Sequence, residues 1–96
     1  MNRKIKKGKI EHLIRRSLSR QLLDFQHNGF ISVMEVLLSD DMSSASVFIS
    51  SFGLELSEII EELNIHSGFF RKKIAKNLNL RYTPNLVFKQ YIEKTI

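Results

Sequence analysis

Between Ser67 and Phe88 the chain reads SGFFRKKIAKNLNLRYTPNLVF, a cationic amphipathic helix followed closely by a strand that starts behind a proline. At about 100° per residue, Phe70, Ile74 and Leu78 fall on one side of that helix and Lys72, Lys73 and Lys76 on another. One side must find a core, and the other presents positive charge to solvent. Pro84 fits the approach to a strand, whose inward face is marked by Leu86, Phe88 and Ile92. So short a helix-to-strand passage leaves no room for catalytic machinery and points to binding.

The rest of the chain carries the same segregation of charge. All fifteen Lys and Arg residues lie within residues 1–24 or 67–96, and residues 25–66 contain none. The first segment has eight cations against two acids, a net +6; the middle has no cations and seven acids, −7; the last has seven against one, +6. The overall +5 therefore hides two basic ends around an acidic middle. Ends folded onto one face create a field that attracts polyanions, nucleic acid first among them.

Ninety-six residues make a single domain, 1–96, with a net stability of roughly 5 to 10 kcal/mol. With no cysteine the chain has no disulfide framework, thiolate cage or thiol nucleophile, and a reducing, cytoplasmic setting is the default. The basic opening resembles a leader in charge, but Arg15 and Arg16 interrupt it and no apolar run follows, so a secretion signal is not expected. No segment approaches the roughly 18 apolar residues of a membrane span.

Ile10, Ile14, Leu18, Leu22 and Phe25 recur at helical spacing, with Lys9, Arg16 and Arg20 within about 40° of one another on the far side. A first helix is expected over residues 8–25, preceded by a flexible basic arm over 1–7 in which Arg3, Lys6 and Lys7 extend the charge. His27, Asn28 and Gly29 supply turn chemistry before FISVMEVLLS, a run of strand length. Both alternating sets of that run are apolar, as in a strand covered on both faces. After Asp40 to Ser43, ASVFISSF alternates Ala45, Val47 and Ile49 with Ser46, Phe48 and Ser50, completing a hairpin.

Leu56, Ile59, Ile60 and Leu63 form the stripe of a second helix that carries Glu55, Glu58, Glu61 and Glu62, acids favoured toward its start by the helix dipole. Only Asn64 to Gly68 separate it from the third helix, so a kink is expected, with Ser67 capping the new start. The order is α-β-β-α-α-β. A helical crossover makes the last strand parallel to the second, giving an α+β fold: a mixed three-stranded sheet packed by helices, the type II KH topology.

This order, with SDDMSSASVFISSFG in the hairpin and SGFFRKKIAKNLNLRYTPNLVF after the acidic helix, resembles the ribosome-binding factor A family. Ser39, Asp41, Met42, Ala45, Val47, Phe48 and Ile49 carry the likeness in the hairpin. Gly68, Phe69, Arg71, Leu78, Leu80, Arg81, Pro84, Leu86 and Phe88 carry it later. The resemblance implies a KH-like fold in which a helix kink replaces the phosphate-clamping GXXG loop. The kink's Ala-x-Gly pattern reads here as His66-Ser67-Gly68, a departure at its first position. Asp24-Phe25-Gln26 where the family favours Asp-Pro-Arg, and Tyr91 where an aspartate often follows the last strand, are further departures.

The family also implies a function. Its members are non-enzymatic assembly factors that bind the immature small (30S) ribosomal subunit around its 16S ribosomal RNA and support maturation of the RNA 5′ end, several of them mattering most in the cold. A monomer without cofactor is expected, with ribosomal proteins as further partners. The RNA-binding candidates are Lys6, Lys7, Lys9, Arg16, Arg20, Arg71, Lys72, Lys73, Lys76 and Arg81. Arg81 is expected to oppose the negative end of the third helix, and the Arg71 stem to pack while its head reaches solvent or phosphate. Phe69 is expected to pack back over the kink rather than stack on a base, and Phe48 and Phe88 read as sheet packing.

Catalysis finds no support. His12, His27 and His66 lie on a helix, a turn and a kink without metal-ligand spacing, there is no P-loop, and Asp40 and Asp41 read as turn residues rather than a magnesium site. The alternative from another class is a DNA-binding regulator in which the second and third helices form a helix-turn-helix. A protein-binding adaptor using the acidic middle is a third.

Overall fold

The computed structural model describes residues 3–25 and 29–93, with side chains from residue 6 onward. Its elements are α1 (Arg3–Leu23), β1 (Phe30–Leu38), β2 (Ser44–Phe52), α2 (Leu56–Ile65), α3 (Ser67–Leu78) and β3 (Asn85–Gln90). The sheet order is β1-β2-β3, with β1 and β2 antiparallel and β2 and β3 parallel. This is the expected α+β, type II KH-like arrangement. Its α1 begins at Arg3 and ends at Leu23. Residues 3–7, expected as a flexible arm, therefore form the first turns of a helix, and residues 24 and 25 form a turn. His27 and Asn28 lie outside the described residues.

All three helices cover one face of the sheet. Ile14, Leu18 and Leu22 of α1, Ile59 and Leu63 of α2, and Phe70 and Ile74 of α3 are buried against Ile31, Val33, Val36, Leu38, Ala45, Val47, Ile49, Leu86 and Phe88. The opposite face is open, with Phe30, Leu37 and Phe52 exposed, so β1 is not covered on both sides. Its double apolar pattern has another cause. Val33 pairs with Ile49 and Glu35 with Phe48, which leaves Met34 as an extra residue in a β-bulge. The bulge reverses the alternation, bringing Ile31 and Val33 before it and Val36 and Leu38 after it onto the same face. Ile92, expected on the inner face of β3, lies beyond that strand and is exposed.

Gly29 is required by space. A Cβ at this position would collide with the Phe52 carbonyl oxygen and stand 2.8 Å from the Leu54 side chain. The chain thus enters β1 pressed against the end of β2.

Both sheet edges meet a helix side chain. The backbone N–H of Leu38 donates to Glu11 Oε2 of α1 at 2.7 Å. At the other edge Asn64 of α2 behaves as a strand in miniature: Phe88 N–H donates to its Oδ1 at 2.8 Å, and its Nδ2 donates to Phe88 O at 3.0 Å.

In the hairpin, Met42 takes the left-handed conformation, φ 61°, and Asp41 organises the turn. Its Oδ1 accepts from Ser43 Oγ (2.7 Å), Ser43 N–H (3.0 Å) and Ser39 Oγ (2.8 Å). The two Ser43 bonds and the Ser39 hydroxyl favour the carboxylate form and hold the Asp41 pKa down at about 2. A depressed carboxylate contributes stability fully above its unfolded value of about 3.9, and that contribution is lost as pH falls through the folded value. The Ser43 amide resonance is therefore expected to titrate with a midpoint near 2 when followed by NMR down from pH 5. A midpoint near 4 would show that these bonds do not hold in solution.

Candidate nucleic-acid interface

Helix α3 turns Phe70 and Ile74 inward, which leaves Lys72, Lys73 and Lys76 exposed, and α1 turns Ile14, Leu18 and Leu22 inward, which leaves Lys9, Arg16 and Arg20 exposed. The two helices pack side by side, so their basic faces adjoin. Arg16 and Arg20 share a cleft of about 430 Å³ with Asn77 and Leu78 at the end of α3. Lys73, in the middle of α3, shares another with Gln21 in the last turn of α1 and Asp24 just past it. Beyond the α3 C-terminus, Lys6 and Ile10 line a groove of about 620 Å³ with Arg71, Arg81 and Tyr82. Arg71, Lys72 and Arg81 also meet around Gly68 and Thr83 in a groove of about 560 Å³. Cations from both ends of the sequence thus line two sets of clefts, one between α1 and α3 that shares Gln21 and one between α3 and the approach to β3 that shares Arg71 and Arg81.

Three of the candidates have additional or different roles. Lys7 stands 3.6 Å from Asp40 in the hairpin, as an ion pair. Arg71 is engaged with its own backbone, donating from Nε and Nη2 to the Thr83 carbonyl at 3.2 and 3.0 Å, which ties α3 to the approach of β3. Arg81 does not sit in the last turn of α3. That helix ends at Leu78 and is capped by Asn79, left-handed at φ 50°, and the Arg81 guanidinium lies 5.4 Å from the centre of the Tyr82 ring. Asp41, the one acid lining the Lys6 groove, is held by its own turn.

Between α2 and α3 only His66 is non-helical, at φ −96° and ψ 14°. Its N–H donates to Glu62 O, closing α2, and its carbonyl accepts from Phe69 and Phe70 N–H, opening α3. Ser67 is the first residue of α3 and not its cap; His66 occupies the cap position and makes no side-chain cap bond. The imidazole is exposed, with Nδ1 2.9 Å from Glu62 O and its ring edge-on to Phe25 at 5.7 Å. A large residue fits here because it points away from the packed surfaces. A Cβ at Gly68 would meet nothing within 4 Å, so the kink leaves open space on that side as well.

Phe69 differs from its expected packing over the kink. It is 53% exposed, edge-on to Phe70 at 5.6 Å, with Lys73 Nζ 4.7 Å from its ring centre. Phe88 is buried as expected, while Phe48 is half-buried on the open sheet face with Lys89 Nζ at 6.0 Å. Gln21, Phe25 and Tyr82 beside the basic clefts were missed by sequence reasoning. Phe25 reads simply as the end of an apolar stripe, and nothing local signals that it meets the kink.

Among the described residues no three His, Asp or Glu side chains come together as a metal site. No described helix is long and apolar enough to cross a membrane. A helix-turn-helix joins its helices through a turn of about 3–4 residues, whereas α2 and α3 share one junction residue and both pack on a sheet.

Three strands covered on one face by a first helix and a kinked helix pair, with cations gathered along the α1–α3 side, define a KH-like domain of type II whose phosphate-clamping loop is replaced by a kink. The family model described as ribosome-binding factor A matches residues 3–92. A ribosome-binding factor A from Clostridium novyi is 34% identical over 86 residues, covering 83% of this chain and 71% of the relative. The crystal structure of ribosome-binding factor A from Thermus thermophilus superimposes with a TM-score of 0.79 at 23% identity, covering 88% of this chain and 94% of that one. A Thermus thermophilus ribosome-binding factor A fitted into a map of its complex with the 30S subunit gives 0.76 at 24% identity, covering 85% and 91%. This chain belongs to the ribosome-binding factor A family.

Proposed function

We propose that the protein is a non-catalytic assembly factor of the cytoplasm that binds the immature 30S ribosomal subunit through 16S ribosomal RNA and supports its maturation, including that of the RNA 5′ end. The observation that carries this reading is that exposed cations of both helices line adjoining clefts between α1 and α3, Arg16 and Arg20 in one and Lys73 in the next, with Gln21 common to the two. A surface of that kind binds phosphate by releasing counterions, with an affinity that falls steeply as salt rises. Membership of a family named for ribosome binding, and the 30S complex of the Thermus thermophilus relative, supply the partner. Lys9 and Lys76, exposed on the same helices, extend the surface.

Binding to precursor small subunits, isolated 16S ribosomal RNA and random duplex DNA, measured in parallel across a salt series, tests the proposal. Precursor subunits are expected to bind tightest and duplex DNA weakest, each losing about 0.7 to 0.9 log units of affinity per log unit of salt for every phosphate contacted. Equal affinity for duplex DNA would favour the DNA-binding alternative. Binding to subunits that is indifferent to salt would favour a protein partner.

A further inference from the structure

The cleft where α1 ends against the α2–α3 kink differs in chemistry from the basic grooves that adjoin it. Its walls are mostly rings. Phe25 stands edge-on to His66 at 5.7 Å and to Phe70 at 5.5 Å, Phe69 is edge-on to Phe70 at 5.6 Å, and the half-open cleft measures about 280 Å³. That volume falls below the roughly 300–1,000 Å³ of pockets for drug-sized ligands, which suits one small planar group. Lys73 also lines the cleft, its ammonium set over the exposed Phe69 ring at 4.7 Å. Gln21 lines both this cleft and the one that holds Arg16 and Arg20, so a polyanion following the cations passes the rings.

Beside the Lys73 ammonium, the cleft offers acceptors. The Glu62 carbonyl can only accept, so His66 Nδ1 carries the hydrogen in their 2.9 Å contact, and Nε2 of the neutral ring is left as an acceptor. Gln21 donates from Nε2 to Ser17 Oγ at 3.1 Å, and its buried Oε1 has no partner among the described residues. The Asp24 carboxylate also lines the cleft and disfavours a phosphate inside it.

Resting on the RNA-binding reading above, we propose that this cleft docks one unpaired nucleobase of the bound RNA, stacked on the exposed Phe69 ring, with its phosphate drawn to Lys73, and that it favours bases with an exocyclic amino group. Adenine, cytosine and guanine present such donors on their exposed edges; uracil presents two carbonyls and a single N–H. Stacking on an aromatic side chain accepts any base, so the selectivity comes from His66 and Asp24.

The test is titration of the full chain at low salt with the tetraribonucleotides rA4, rC4 and rU4 and with an abasic ribose-phosphate tetramer, followed by the NMR resonances of the rings and the lysines. The Phe25, Phe69 and His66 resonances are expected to shift with rA4 and rC4, and rA4 is expected to bind about tenfold tighter than the abasic chain, the scale of one base-aromatic stack. Phe69→Ser, at an exposed site, should bring that ratio near one. His66→Phe should keep the stack while weakening the preference of rA4 over rU4, and His66→Phe with Asp24→Ala should erase it.

Shifts confined to Lys72, Lys76 and the arginines, with equal affinity for base-bearing and abasic chains, would overturn the pocket and leave the cationic interface standing. No binding by any oligomer or by the subunit would overturn both. A benzophenone amino acid in place of Phe69 that crosslinks a ribosomal protein instead of RNA in the subunit complex would assign the cleft to a protein and likewise overturn the proposal.

Discussion

Replacing Lys9, Arg16, Arg20, Lys72 and Lys76 together by glutamate is expected to abolish binding to the small subunit while the protein stays folded. All five side chains are exposed, and none makes a hydrogen bond or ion pair among the described contacts. The core faces of α1 and α3 are therefore untouched. Each change moves the charge by two units, carrying the formal net charge from +5 to −5. If each cation neutralises one phosphate, the wild-type affinity contains a salt dependence of about 3.5 to 4.5 log units per log unit of salt that the variant lacks, and a fall in affinity of about 1,000-fold at moderate salt follows. Filter binding and a thermal melt on the same preparation check the two halves. Undiminished affinity in the folded variant would remove the α1–α3 cations from the mechanism.

The largest effect on folding is expected at Phe70. Its ring is fully buried and touches Phe25, Phe69 and Phe88, all edge-on with centroids between 5.5 and 5.7 Å. Phe70→Ala removes the ring that joins the turn after α1, the start of α3 and the edge strand β3. The loss expected from urea unfolding is about 3–5 kcal/mol, transfer and cavity terms together. Against a total of about 5–10 kcal/mol for a domain of this size, that leaves the chain close to unfolding at 37 °C. A loss below about 1 kcal/mol would mean that α3 does not pack on the sheet through this residue.

The order of elements was legible because each one advertises its own period. Ala45, Val47 and Ile49 alternate, while Ile14, Leu18 and Leu22 recur by fours, and nothing in the fold contradicts these patterns. The inner face of β1 was not legible, because a bulge at Met34 shifts the pattern by one residue in mid-strand. The start of α1 was missed for a related reason: Arg3 to Lys7 offer charge but no apolar stripe, so only the backbone shows them helical.

At the interface, the grouping of cations on α1 and α3 follows from their wheels, which can be drawn from sequence. Which cations have a second partner does not follow. Lys7 meets Asp40 and Arg71 meets the Thr83 carbonyl only after the hairpin and the last loop have folded alongside them. The aromatic cleft is hidden in the same way, since Phe25 and Phe69 are 44 positions apart and each looks locally like a packing residue.

Asn64 and Glu11 bear on how the protein behaves in a crowded cell. A three-stranded sheet has two outer strands, and every outward N–H and C=O on them invites a strand from a neighbouring molecule. Here a helix side chain already occupies the middle of β3 and the end of β1. A neighbour would have to evict a two-bond amide clamp to extend the sheet at Phe88, and a carboxylate to extend it at Leu38. Sheet-to-sheet assembly into fibres or strand-swapped pairs is thereby opposed from within each copy, and the free energy spent on holding Asn64 in place works as insurance against self-association.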